Sequence, residues 1–348
     1  MSSPLVSIVT PSYNHGPFIE GTIRSVLEQD YEPIEYVIVD DGSSDESVEI
    51  IRRYEDRLAW WTRQENAGQV TALNRGFAHT SGAYMAYVNS DDVLLVEAVS
   101  TLVAALAEDP DAVLAYGDGF FVQPTGIREY ARSADWDPVG MVRTSSDHIF
   151  QQATMWRRAA WEQVGPFDEE ADYTFEFQFW VRLAGVGSAI HVQRPLALRR
   201  MHGASKTISP GNALPKARDS LRCADKFLLG PQIPPNLRPY ARAGRARMYL
   251  RAGSYYLQAL DLRSARRCYL QAHRLDDRRW PSRRLVALIA RTCLPRPLAR
   301  LAVPAGAGAP TRLKVLLVAE RVLPASALSL LLKTKRRLIR RLRGSAAA

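Results

Sequence analysis

The sequence predicts a doubly wound α/β domain, a mostly parallel sheet flanked by helices, followed by an α-helical C-terminal extension. Three observations carry this. Short apolar runs alternate with amphipathic helical stretches at βαβ spacing over the first hundred residues. Polar clusters recur where those runs end. Beyond Pro215 the texture changes to segments rich in Arg, Leu and Ala.

Leu5–Thr10 (L-V-S-I-V-T) is a continuous apolar run before Pro11 and reads as a parallel strand buried on both faces. Phe18–Gln29 follows with helical periodicity at Ile19, Ile23, Val26 and Leu27. Glu35–Asp40 is a second strand, and Asp41-Gly42-Ser43-Ser44-Asp45 is a turn able to cap a helix over Glu46–Tyr54. A strand near Leu58–Thr62, a helix Val70–His79 and a strand Ala83–Val88 come next, the last running into Asn89-Ser90-Asp91-Asp92. Further on are a helix Val96–Glu108, a strand Ala112–Tyr116, an irregular stretch to about Asp147, the turn Gly165–Glu169 and a helix Tyr173–Ala184. Arg245–Leu275 resembles a single tetratricopeptide-type hairpin, with small and aromatic residues at Ala252, Tyr256, Ala259, Ala265, Tyr269 and Ala272. One such unit cannot bury its own face, so it reads as a packing appendage. The expected organisation is residues 1–214 as the α/β domain, 215–302 as the helical region and 303–348 as a linker with a basic amphipathic tail.

Charge divides at the same place. Residues 1–214 hold 16 Lys and Arg against 30 Asp and Glu, a balance of −14, whereas 215–348 hold 30 against 6, a balance of +24. Such asymmetry points to different partners for the two regions. Leu328, Leu331 and Leu332 beside Lys333–Arg341 suit an interfacial helix on an anionic membrane. Charge alone would also admit nucleic acid, but nothing in the chain reads bases. Cys223, Cys268 and Cys293 match no zinc spacing and fit a reducing, cytoplasmic compartment. Arg291 and Arg296 interrupt the most apolar stretch, Leu285–Val303, so no membrane span is expected.

Ligands of open α/β sheets sit at the carboxyl ends of the strands. Three such ends are polar here: Thr10–Asn14, Asp40-Asp41 and Asn89–Asp92. The Asp91-Asp92 pair has two readings. Adjacent carboxylates raise each other's pKa unless a cation lies between them and a ligand, and Mg²⁺ or Mn²⁺ with substrate phosphates is the usual resolution. Alternatively an Asp there caps the next helix. Asp40-Asp41 is likewise either turn chemistry or a partner for a nucleobase or ribose. No G-x-G-x-x-G follows the first strand, which excludes a dinucleotide-dependent oxidoreductase. Thr10–Gly16 has a single glycine and no basic residue, which disfavours a nucleotidyltransferase. Missing spans and a missing Q-x-x-R-W disfavour a processive membrane synthase. A catalytically dead nucleotide-sugar-binding scaffold is the remaining rival.

Taken together, V-S-I-V-T-P-S-Y-N-H, V-I-V-D-D-G-S-S-D, E-N-A-G-Q-V-T-A-L-N-R-G-F-A and G-A-Y-M-A-Y-V-N-S-D-D resemble the family 2 glycosyltransferases of GT-A fold. The likeness extends through Gln151–Arg158 and Gly165–Glu169 and ends near Arg200–Thr207. It implies inverting transfer of a sugar from a UDP-, dTDP- or GDP-linked donor to a glycan or lipid-linked acceptor, with Mn²⁺ or Mg²⁺ as cofactor. Thr10, Pro11 and Tyr13 would line the nucleobase site, with Asp40, Asp41 and Asn74 adding to nucleotide binding. Asp91 and Asp92 would form the metal motif, with Asp92 as metal ligand and Asp91 on the nucleotide; Asn89 stands where relatives carry a first Asp, and its amide can still bind the nucleotide through a ribose hydroxyl. His202 matches a histidine that completes the metal site in such enzymes, although a lone His is as often structural. Glu176, among Phe175, Phe177, Phe179 and Trp180, would be the general base, since apolar surroundings raise a carboxyl's pKa toward useful basicity; the bland alternative is an exposed helix Glu. Arg200 and Lys206 would meet the diphosphate. Asp118, Gln152 and Trp156 are donor- or acceptor-side candidates.

Overall fold

A computed structural model describes residues 3–203, 205–206, 210–276 and 288–293. The linker and basic tail expected over 303–348, the membrane helix within it, and most of Leu285–Val303 lie outside the described residues. No helix among the described residues is long and apolar enough to cross a membrane.

The elements run β1 (Val6–Ser12), α1 (Gly16–Leu27), β2 (Ile34–Asp40), α2 (Ser47–Arg52), β3 (Trp60–Arg63), α3 (Gln69–Phe77), β4 (Tyr84–Tyr87), β5 (Val93–Leu94), α4 (Ala98–Glu108), β6 (Ala112–Gln123), β7 (Gly126–Ala131), α5 (Pro138–Thr144), β8 (Thr154–Arg157), α6 (Arg158–Val164), α7 (Phe175–Leu183), β9 (Ser188–Arg200), α8 (Ala213–Arg222), α9 (Ala241–Gln258) and α10 (Leu262–Leu275). The strands form one sheet in the order β3-β2-β1-β4-β8-β6-β9-β5, with β7 paired to β6.

The first half of this order is parallel: β1 lies between β2 and β4, and β2 carries β3. All seven residues of β1 are buried, as its unbroken apolar run requires of a central parallel strand. The strand continues through Pro11 to Ser12, two residues past the run's expected end. Helices cover both faces. On one, α1 and α4 bury Ile19, Ile23, Val26, Leu102 and Leu106 against β1, β2 and β4. On the other, α3, α6 and α7 bury Leu73, Phe77, Trp161, Phe179 and Trp180. There Gly76 lets α3 ride directly over β1, since a Cβ would meet Val9 Cγ1 at 2.5 Å.

The second half departs from the sequence reading. The stretch expected to be irregular continues β6 as far as Gln123 and returns as β7, so Gly117–Ala131 is largely a hairpin. Glycines and charged residues dilute its apolar pattern, which hid it. β6 runs parallel to β9 with register shifts around Gly117–Gly119, bending the sheet beneath the polar strand ends.

The compositional break near Leu214 is not a break in packing. Helix α8 spans it, and Cys223, Phe227, Leu228, Ile233, Leu237 and Met248 join Trp156, Phe177 and Trp180 in one core. Helices α9 and α10 form the hairpin, with Asp261 capping α10 by accepting from Ser264 N–H at 3.0 Å. Gly253 brings the helices together, as a Cβ there would meet the Tyr269 ring at 2.4 Å. The hairpin buries its open face against α5 and α8.

Candidate active site

The carboxyl ends of β1, β2 and β4 open into a cavity of about 920 Å³. Two ends can be distinguished by the elements that build them.

At the first end, Pro11 and Tyr13 follow β1, and Tyr13 is 47% exposed, so its ring is available to a flat ligand. Asp41 is fixed there: its carboxylate accepts from Gln64 Nε2 at 2.8 Å, Ala67 N–H at 2.9 Å and Gly68 N–H at 2.8 Å. That ties the loop before α3 to the end of β2 and brings Asn66, Gly68 and Gln69 to the cavity wall. Successive residues at a strand end point to opposite sides, so Asp40 turns away, accepting from Ser43 N–H at 3.0 Å beside Arg63. Thr10 is fully buried, with its hydroxyl 3.0 Å from that of Tyr36. Asn74 pins the Gly165–Glu169 turn, donating to the Phe167 carbonyl at 2.9 Å and accepting from Phe167 N–H at 3.1 Å. Thr10, Asp40 and Asn74 thus support the cavity without lining it.

The Asp91-Asp92 pair is not a helix cap: β5 follows it, and α4 begins only after Glu97. The two carboxylates again diverge. Asp92 is 2% exposed and accepts from Gln152 Nε2 at 2.8 Å, Asn89 Nδ2 at 3.3 Å and the Arg200 backbone N–H at 3.0 Å. Burial, with Asp91 beside it, pushes its pKa up to about 7. Asp91 faces His202, whose Nε2 lies 3.0 Å from Asp91 Oδ2. His15 completes the group: one ligand atom each from His15, Asp91 and His202 lie within 4.8 Å of one another, a spacing that suits a cation. Burial lowers the His15 pKa, favouring the neutral imidazole that ligates metals. The sequence reading placed the metal on Asp92 with His202. In the structure the Asp92 carboxylate is held by Gln152 and the Arg200 backbone, and Asp91 is the one that stands with His202 and His15. His15 went unnoticed, although it closes the V-S-I-V-T-P-S-Y-N-H block only three residues beyond β1.

Arg200 sits behind this group, its guanidinium donating to the Asp91 carbonyl at 3.1 Å and lying over the Phe18 ring. Its neighbour Arg199, on the opposite side of β9, lines the cavity over Phe121. Period-two alternation at the end of β9 therefore gives the cavity-facing guanidinium to Arg199, which the sequence reading passed over.

The other end belongs to α7 and the elements around it. Glu176 lies in the first turn of α7, lines the cavity and accepts a hydrogen bond from the Tyr87 hydroxyl at the end of β4. Burial, its largest influence, and the nearby Asp147 raise its pKa, while the Tyr87 bond and the Arg199 and Lys206 charges oppose the rise. Glu176 is thus not an exposed helix residue. Lys206 pairs with the Asp172 carboxylate and reaches Gln69 Oε1 at 3.4 Å, joining the two ends. Gln152 lines the cavity while holding Asp92. Trp156 is fully buried among Phe77, Trp161 and Phe179 and serves the core. Asp118 is also fully buried, bonded to the Tyr130 hydroxyl, to Ser133 N–H at 2.8 Å and to His191 Nε2 at 2.8 Å. It anchors β7, whose Tyr130 does line the cavity.

Residues 7–161 match the family model described as Glycosyl transferase family 2. Chondroitin synthase of Pasteurella multocida is 26% identical over 208 residues, which is 59% of this chain but 21% of that protein's length. S. aureus TarS 1-349 in complex with UDP-GlcNAc superposes with a TM-score of 0.58 at 16% identity, over 85% of this chain and 86% of that one. A mannosyltransferase from Pyrobaculum calidifontis, solved with GDP-Man and Mn²⁺, gives 0.53 at 19% identity, over 87% and 82%. At these identities the superpositions speak for the fold. Residues 7–161 are thus similar to the family 2 glycosyltransferases, on a fold like that of these solved glycosyltransferases.

Proposed function

We propose that the protein transfers a sugar from a nucleotide-diphospho-sugar to an acceptor hydroxyl with inversion, in the building of a polysaccharide or related glycoconjugate. The observation that carries this reading is that His15 and Asp91, which His202 joins, line one cavity with the half-buried Glu176. Solved neighbours holding UDP-GlcNAc or GDP-Man and Mn²⁺ support the donor class and the cation, and the chondroitin synthase likeness supports the product class.

In this reading Pro11, Tyr13 and Asp41 receive the nucleoside, and Arg199 and Lys206 face the diphosphate. His15, Asp91 and His202 would hold Mn²⁺ or Mg²⁺, with Asp92 behind them bracing the Asn89–Asp92 turn. A bound cation supplies Lewis-acid stabilisation of the charge growing on the leaving diphosphate. Glu176 takes the proton of the acceptor hydroxyl. The oxygen attacks the anomeric carbon, and the nucleoside diphosphate departs with the electrons of the broken bond. Single displacement inverts the anomeric centre.

Purified protein incubated with UDP-, dTDP- and GDP-sugars and a mixed glycan acceptor should release free nucleoside diphosphate. Binding of a nucleotide-sugar with no release under any acceptor would leave a scaffold in place of an enzyme. A membrane surface enters only through the basic Lys333–Arg341 sequence; unchanged liposome sedimentation after truncation at Gly308 would remove it.

A further inference from the structure

The helical extension reaches the cavity. Lys216 of α8 and Tyr255 of α9 line its wall together with Tyr173, three residues before Glu176, and with Lys206. Lys216 is 8% exposed, its ammonium 5.6 Å from the Tyr173 ring centre and 5.9 Å from that of Tyr255. Lys206 stands 4.9 Å from the Tyr173 ring. Two cations and two rings thus meet beside the proposed base, away from the strand ends that receive the nucleoside.

We propose that this wall is an acceptor subsite for a sugar bearing an acidic group, a carboxylate or a phosphate, next to the hydroxyl that reacts. Ring faces of this size pack against sugar rings, and the lysines read the charge. A desolvated ammonium gains more from an arriving anion than an exposed one, because water screens it less. Burial also lowers the Lys216 pKa. The charge reversal along the chain then has a local meaning, since the basic region lends its first buried lysine to the acidic domain's cavity.

The inference rests on the proposed function and is tested apart from it. Binding of methyl glucuronide, glucose 6-phosphate and methyl glucoside is measured by saturation-transfer NMR with the full chain, Mn²⁺ and a saturating nucleoside diphosphate, so that the donor end is filled. At least one acidic sugar should bind about ten-fold more tightly than the glucoside, the scale of a charge-assisted hydrogen bond. Which acid wins distinguishes carboxylate from phosphate. Lys216→Met should abolish that preference, and Lys216→Arg should keep most of it. Nucleotide affinity reports whether each variant is folded; if Lys216→Met is not, Lys216→Gln, which keeps a polar end without the charge, serves the same purpose. Equal affinity for all three sugars, or a preference that survives in the variants, overturns the subsite. Failure of any nucleoside diphosphate to bind the unaltered chain overturns the proposed function instead.

Discussion

The two ends of the cavity are built differently. The end proposed for the nucleotide is made from the carboxyl termini of adjacent parallel strands β1, β2 and β4, whose residues are close in sequence and carry short polar signatures. The end proposed for the acceptor draws on α7, β7, α8 and α9, from positions more than 120 residues apart. The first is a local product of strand order, and the second exists only once the chain is packed.

The sharpest separation of the ends is Glu176→Gln, which should lower kcat by about 10²–10⁴-fold and leave the Kd for nucleoside diphosphate unchanged. A parallel fall in nucleotide affinity would merge what the comparison divides. Chelation with EDTA, or Asp91→Asn, should cost about 10²–10³-fold in turnover, with Mn²⁺ or Mg²⁺ restoring the chelated protein; indifference to chelation would remove the cation from the nucleotide end. The pH profile comes next. A raised Glu176 pKa means the base is protonated, and turnover falls, on the acid side of a limb above the usual carboxyl value of about 4.3. The Tyr87 hydroxyl holds that pKa down, so Tyr87→Phe should move the limb to higher pH by about one unit, the size of one hydrogen bond. A limb that stays put would separate Tyr87 from the base. The smallest effect belongs to the extension. A Cβ at Gly244 would meet the Val142 carbonyl at 2.3 Å, so Gly244→Ala should push α9 from α5 and cost about 1–3 kcal/mol in chemical denaturation. Acceptor KM should rise in that variant with nucleotide affinity intact.

The same division explains what the sequence made legible. A period of two and an unbroken apolar run are local signals, so β1, β2, β4 and the polar residues after them could be read directly. Side-chain direction at a strand end could not. Which of Asp91 and Asp92 stands with the histidines, and which of Arg199 and Arg200 lines the cavity, depends on the turn that follows and not on a local pattern. Glu176 stood out because aromatic residues surround it in sequence. Lys216, Tyr255 and Tyr130 carried no comparable mark, since what brings them to the cavity is the docking of α8 and α9 and the anchoring of β7 by the buried Asp118. The charge division at Leu214 suggested a domain boundary, yet the apolar residues that decide packing continue across it.

Strand β4 ends in Tyr87, which holds Glu176, and Asp91 follows four residues later. In the proposed reaction the proton acceptor and the cation group would thus be referenced to one short piece of backbone, at most about 14 Å long. That length would act as a gauge, setting how far the attacking oxygen stands from the departing phosphate. A different nucleobase can be accommodated at Tyr13 and Asp41, or a different acceptor at the helical wall, without resetting it. Substrate choice can then drift at both margins while the reaction coordinate keeps its scale.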